Sequence, residues 1–345
     1  HFEKYIYINF EEKEYIKIFE STDNFEDLLA AIYLKNNLPK TESQTLIFLD
    51  EIQNSSLAIS KLRFFYEKHP ELFVIAAGSL LETTVDYKSS FPVGRVEYLR
   101  MYPLTFDEFL PAIGETEALK ALNEIPFPMY AHLQMMKLYN RYALIGGMPE
   151  AVKLYSETGD IVKLGYVYDS LMQSYNEDIE KYERSKKITA VLKHCIKAVP
   201  LESGKRIKFQ NFGNSNYRSR EVKESLDILE KAMLVKLVYP VTSTKLPALP
   251  DLKKSPKLHF LDTGLINFGS GLQTDIFGMK ELSDFYEGRI AEHIVGQELT
   301  AQNKFINENL YFWVREKRQS SAEVDYLILF NNKLVPIEVK SGKNG

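Results

Sequence analysis

The sequence predicts a multidomain α/β protein, and three patterns carry that prediction. Strand-like and helical runs alternate through the first hundred residues, which implies a parallel sheet. A helix, a loop, a second helix and two strands follow in a stretch rich in lysine and arginine, and a helix, a strand and a hairpin close the 345 residues. The segments divide at 1–112, 113–180, 181–265 and 266–345.

Composition narrows the class. The residues are 45% hydrophobic and 26% charged, and no apolar run approaches the roughly 18 residues that a membrane span requires. No membrane partner is expected. The single cysteine, Cys195, cannot form an intramolecular disulfide and no charged-then-apolar leader opens the sequence, so a reducing cytoplasm is expected. The net charge of −4 hides an asymmetry: residues 184–260 hold 17 Lys and Arg against 6 Asp and Glu, and the remainder holds 26 against 41. A basic middle is the footprint of a nucleic-acid-binding segment, or of a surface that docks on the chain's own acidic part.

In the first segment the strand-like runs are "YIYINF" (5–10), "LIFLDE" (46–51) and "FVIAAGS" (73–79), separated by helical stretches over 24–37 and 58–70. Four apolar residues running into Asp50 and Glu51 look like a buried strand delivering acids to a nucleoside triphosphate and its magnesium. In open α/β sheets ligands sit beyond the carboxyl ends of the strands, so Asp50, Glu51 and Ser79 gather at one edge. There Asp50 holds a magnesium-bound water, Glu51 orients or deprotonates the attacking water, and Ser79 contacts the γ-phosphate or that water. The alternative is an acid pair that caps the next helix. The usual partner of such a strand is a glycine-rich loop ending in Gly-Lys-Ser/Thr. That spacing does not occur: Gly204-Lys205 is followed by Arg206 and Gly342-Lys343 by Asn344. The sheet is that of an incomplete P-loop NTPase. The residues begin at His1 directly on a strand pattern and stop a few residues past another, so a longer natural chain is expected.

Farther along, "GGMPEAV" (146–152) reads as a helix-breaking turn. A helix is predicted over 188–199 and another from Ser219, a plausible N-cap, with Val222, Leu226, Leu229 and Met233 on one face. Two strands, "LVKLVYPV" and "KLHFLD", complete the order of a winged helix-turn-helix. Its reading helix is 219–233. Arg218, Arg220 and Lys223 near the start of that helix, with Lys253, Lys254 and Lys257 in the wing, are the candidate DNA phosphate contacts. The alternative is a packing module with solvated charges.

The end of the sequence predicts a helix over 288–302, the strands "LYFWVREK" and "AEVDYLILF", a turn at Asn331-Asn332 and a final strand "KLVPIEVKSG". Period two puts Glu338 and Lys340 on one face, and Asp325 lies on the neighbouring strand. This is the D…E-x-K pattern of a restriction-endonuclease-like α/β domain. Asp325 and Glu338 bind magnesium, Lys340 orients or activates the attacking water, and Glu292 is an additional carboxylate. An exposed charged hairpin explains the same pattern.

Taken together, "LIFLDEIQ", "FVIAAGSLLE", "FPVGRVEYLRMYPLTFDEFL", "YALIGGMPEAV" and "AEVDYLILF…LVPIEVKSG" closely resemble one family. It is the AAA-type ATPases of bacteria and archaea that carry a C-terminal domain of unknown function with a nuclease-like end. The resemblance implies that Asp50-Glu51 is the Walker B pair, that Ser79 is the polar residue of the sensor strand and that residues 113–165 form the lid. It implies that Arg95 is a basic residue reaching phosphates, of a neighbouring subunit in a homo-oligomer, where a plain surface arginine is the alternative. It implies a phosphate loop just upstream of "YIYINF", so residues 1–345 alone are expected to bind ATP poorly. The expected function is an ATP- and Mg-dependent ATPase acting on or near DNA. A nucleotide-gated, Mg-dependent DNA endonuclease and a non-enzymatic DNA-binding scaffold are the alternatives.

Overall fold

The computed structural model describes residues 2–39, 44–78, 94–181, 186–271, 288–302, 310–317 and 320–340. The chain divides into two compact units, residues 1–100 and 101–345.

In the first unit β1 (Lys4–Asn9), β2 (Thr45–Asp50) and β3 (Phe73–Ala76) form a parallel sheet in that order, with β2 in the middle. Each strand falls within a residue or so of the sequence expectation at its start, and β3 ends three residues sooner. Between them run α1 (Lys13–Ser21), α2 (Phe25–Lys35) and α3 (Ser56–Lys68). The helices exist because their apolar residues recur at helical spacing: Phe25, Leu28, Leu29, Ile32 and Tyr33 of α2 are buried. Caps fix their starts. The Asn24 side chain accepts from Glu26 N, and Ser55 Oγ accepts from Ala58 N at 3.1 Å. Alternation along the strands sends Ile6, Ile8, Ile47 and Leu49 into a core with Phe10, Phe19 and Phe65. Tyr7, Phe48 and Ile75 make one row across the other face, and Ile75 is 49% exposed.

The second unit begins with helices: α4 (Phe106–Ala112), α5 (Thr116–Leu122), α6 (His132–Ile145), α7 (Pro149–Thr158) and α8 (Leu164–Lys181). The Gly-Gly-x-Pro break falls where the sequence puts it. Gly146 takes φ +76 after the last residue of α6, and Pro149 opens α7. A Cβ on Gly147 would overlap the Leu104 backbone, so glycine is required there by close approach.

Then come α9 (Lys186–Glu202), β4 (Lys205–Arg206), α10 (Ser219–Lys231), β5 (Val235–Val238), β6 (Pro240–Val241) and β7 (Lys257–Phe260). Strands β4, β7 and β5 form an antiparallel sheet in that order, so β7 is central. The predicted apolar face of α10 is buried at Val222, Leu226 and Leu229. Two details differ from expectation. Arg218, not Ser219, is the N-cap, because the Glu221 carboxylate reaches back to accept from its amide at 3.1 Å. Met233 lies beyond the helix with φ +61.

The last elements are α11 (Thr263–Gly269), α12 (Gly288–Ala301), β8 (Tyr311–Lys317), β9 (Ser320–Phe330) and β10 (Lys333–Ile337). The sheet order is β10-β9-β8-β6, antiparallel except for the parallel β6–β8 pair. Asn331 and Asn332, both at positive φ, close the predicted hairpin in the primed sense that matches strand twist. Since β5 and β6 are separated by Tyr239 alone, one run of chain serves both sheets and ties the basic segment to the C-terminal one. Among the described residues no helix is long and apolar enough to cross a membrane.

Candidate functional site

Two carboxylate clusters, one in each unit, hold part of the predicted site residues: Asp50 and Glu51 in the first, Lys257, Glu292 and Asp325 in the second.

The first stands at the carboxyl end of β2. Asp50 is the last residue of the middle strand, in register with Asn9, and Phe10 N donates to its carbonyl at 3.0 Å. Its half-exposed side chain accepts from the Tyr7 hydroxyl at 2.6 Å and from Glu51 N at 3.1 Å. The Tyr7 phenol is pushed up to about 12, chiefly by that hydrogen bond. Glu51 takes a left-handed conformation, φ 52 and ψ 41, which turns the chain sharply off the strand. Its carboxylate accepts from Gln53 Nε2 at 2.5 Å. Among the described residues Gln53 Oε1 is buried with no hydrogen-bond partner, and a Cβ on Gly78 would overlap it. Such a buried polar atom is costly unless a donor meets it. A Mg-nucleotide fits this donor set: two carboxylates at the end of a parallel strand, with spare lone pairs and an adjacent unsatisfied amide.

Ser79 lies outside the described residues. Arg95 Nε donates to Glu67 Oε1 at 2.6 Å in an exposed pair. Glu67 is near the far end of α3, about 16 Å of helical rise from the start that adjoins Asp50.

The second cluster joins α12, β9 and β7. Lys257 Nζ lies 2.9 Å from Glu292 Oε2, 2.9 Å from Glu323 Oε1 and 3.4 Å from Asp325 Oδ1. Its side chain is 3% exposed. Burial lowers the Lys257 pKa, but hydrogen bonds to Glu292 and Glu323 outweigh it and the net direction is up. Glu292 is pushed up, burial being the largest cause. This corrects Lys257 as a wing phosphate contact. Its side chain is buried against Phe312 of β8 and Tyr326 of β9 and not on a surface.

The predicted residues Asp325, Glu338 and Lys340 lie at one end of the β9–β10 hairpin, where Ile337 is in register with Tyr326. Glu338 pairs with Lys340 at 2.7 Å on an exposed strand end, and Val339 N donates to Asp325 Oδ2 at 2.8 Å. Asp325 and Glu292 meet, but around Lys257. Among the described residues no group of three or more acid, histidine or cysteine side chains is placed to hold a metal ion. The magnesium that the hairpin motif implies does not fit an arrangement whose centre is an ammonium.

Of the remaining candidates, Arg218, Arg220 and Lys253 are exposed and Lys254 is half-buried. Lys223 is engaged by Asp227 at 2.8 Å. Sequence reasoning missed Tyr7, Gln53 and Glu323. Glu323, two residues before Asp325, shares its face by strand period and was legible. The other two have no local signal.

A parallel sheet with acids at its carboxyl edge is an arrangement that nucleotide-binding α/β domains use. Residues 1–110 match the family model of an AAA domain. Residues 136–275 and 287–345 match two domains of unknown function, DUF8612 and DUF4143. The chain is similar to an uncharacterized protein of Haemophilus influenzae, 23% identical over 272 residues, which are 76% of this chain and 60% of that protein. It thus spans less than two thirds of that relative's length. No solved structure matches.

Proposed function

We propose that the N-terminal unit is the acid-bearing half of a Mg-dependent ATPase and that the basic segment carries it to DNA. The observation that supports the reading most is Asp50-Glu51 at the carboxyl end of the central parallel strand, beside the unsatisfied Gln53 Oε1. Asp50 would hold the magnesium-bound water, and Glu51, turned off the strand and oriented by Gln53, would take the proton of the attacking water. Magnesium supplies charge neutralisation at the phosphates when bound. Ser79 and a phosphate loop elsewhere in the protein would complete the site, as the family resemblance implies.

The order α9, β4, α10, β5, β7 supports a winged helix, with exposed Arg218 and Arg220 at the start of α10 and Lys253 in the β6–β7 connection. DNA phosphates are the partner class this charge suits. The lone Cys195 is buried, its thiol pushed up to about 12 by burial, which makes it a poor nucleophile.

The test uses the full-length protein, a fluorescent ATP analogue and phosphate release. Glu51→Gln should retain nucleotide binding and lose hydrolysis by about 10²-fold or more. Hydrolysis that survives both Glu51→Gln and Asp50→Asn would overturn the assignment.

A further inference from the structure

The ammonium of Lys257 has three N–H donors, and three carboxylates from two elements surround it: Glu292 of α12, and Glu323 and Asp325 of β9. The rings of Phe312 and Tyr326 lie 5.1 and 5.5 Å away and present their faces to the same cation. Arg206 of β4 adds a second positive charge, 3.7 Å from the other oxygen of Glu323. The remaining oxygen of Asp325 is taken by Val339 N.

We infer that Lys257 is the resident cation of this cluster, so that the acids of the nuclease-like module form an intramolecular lock between β7 and the α12–β9 layer and not a metal centre. Three acids share two cations, and each acid except Glu292 has its second oxygen engaged as well. Magnesium demands near-octahedral oxygen coordination and retains several waters. Here a divalent ion would have to displace a buried ammonium from its partners, or stand beside it against charge repulsion in a medium where water screens little.

The lysine cannot simply swing out, because β7 is fastened on both sides of it. His259, two residues on and so on the same face, meets the Tyr326 hydroxyl at 3.1 Å, and that hydroxyl donates to the Glu292 carbonyl at 2.7 Å. The His293 ring lies 3.0 Å from both backbone polar atoms of Phe260. Thr263 N donates to Gln297 Oε1 at 3.1 Å. Gly296 lets α12 come this close, since a Cβ there would overlap the His259 ring. Moving Lys257 therefore means moving the strand. The consequence is a C-terminal module that binds or transmits without cutting, its acids kept to hold the basic segment in place.

The experiment is a Mn2+ titration of the full-length protein, read by electron paramagnetic resonance, beside Glu292→Gln and Asp325→Asn, with thermal unfolding of Lys257→Met. Mn2+ affinity should change by less than about 2-fold in either acid variant, since neither acid is a ligand. Lys257→Met, which keeps the stem and deletes the charge, should lower the midpoint by roughly 6–15 °C, because it leaves uncompensated buried acids. Adding Glu323→Gln to Lys257→Met should recover part of that loss. A wild-type Mn2+ site abolished by Glu292→Gln or Asp325→Asn overturns the inference, as does a Lys257→Met midpoint equal to wild type. If Lys257→Met does not fold, the two acid variants decide the question.

Discussion

Asp50 and Asp325 are the same residue type on β-strands, each beside a second acid, and the fold treats them in opposite ways. Around Asp50 the protein supplies neutral donors, the Tyr7 hydroxyl and a backbone amide, and leaves the carboxylate half-exposed. Around Asp325 it supplies a lysine that is 3% exposed. A carboxylate remains available to an external cation only where the chain does not provide one of its own. A motif made of acids therefore reports chemistry only after its counter-ions are known.

Beyond the Lys257 variants, the comparison breaks most clearly at a third acid that is buried and, among the described residues, has no cation. Asp262 accepts from Gly147 N at 2.6 Å and Gly264 N at 2.8 Å, one on each oxygen, so it ties the Gly-Gly turn to the start of α11. Asp262→Asn turns one acceptor into a donor facing an amide. It should destabilise by about 1–3 kcal/mol, measured by urea unfolding. A neutral outcome would mean that enclosure alone does not fix an acid's role.

The same residue gives a pH dependence. The Asp262 carboxyl is raised from 3.8 to about 6, burial being the largest cause. Between those values the folded chain keeps a proton that the unfolded chain has released, so this contribution to stability falls as pH rises through the window. Unfolding midpoints taken across pH 4–6 should show that slope, and Asp262→Asn should flatten it.

The basic segment sharpens the comparison from the cationic side. On the proposed DNA-binding role, Arg218→Ala and Arg220→Ala, at exposed residues, should each reduce the salt dependence of binding by about 0.9 log units per tenfold salt. Lys223→Ala should reduce it less, since Asp227 already holds its ammonium. Equal slopes for all three would show that pairing in the fold does not govern which cations meet phosphate.

The smallest effect belongs to the open site. Asp50→Asn removes a partly solvated charge with no buried counter-ion, so stability should change by within about 0.5 kcal/mol. The Tyr7 phenol, now about 12 with its bond to Asp50 as the largest cause, should fall toward 10 in a spectrophotometric titration.

The sequence by itself determined the alternation of β1, α2, β2, α3 and β3 though not α1, the placement of Asp50 at a strand end, the break at Gly146-Gly147, the helix over 288–302 and the Asn331-Asn332 hairpin. These are local: periods of 2 and 3.6, positive-φ residues and helix breakers act within a few residues of themselves. Partnership between charges was decided only by tertiary structure. Lys257 reads as a surface lysine in "SPKLHF" because nothing within ten residues reveals that β7 will be a central strand. Its partners lie 35 residues away at Glu292 and 68 away at Asp325. Arg95 likewise meets Glu67 across 28 residues, and Asp262 meets Gly147 across 115. A charge is legible in sequence, but its meaning depends on which opposite charge or amide the fold brings within about 3 Å, and that contact is made by the chain as a whole.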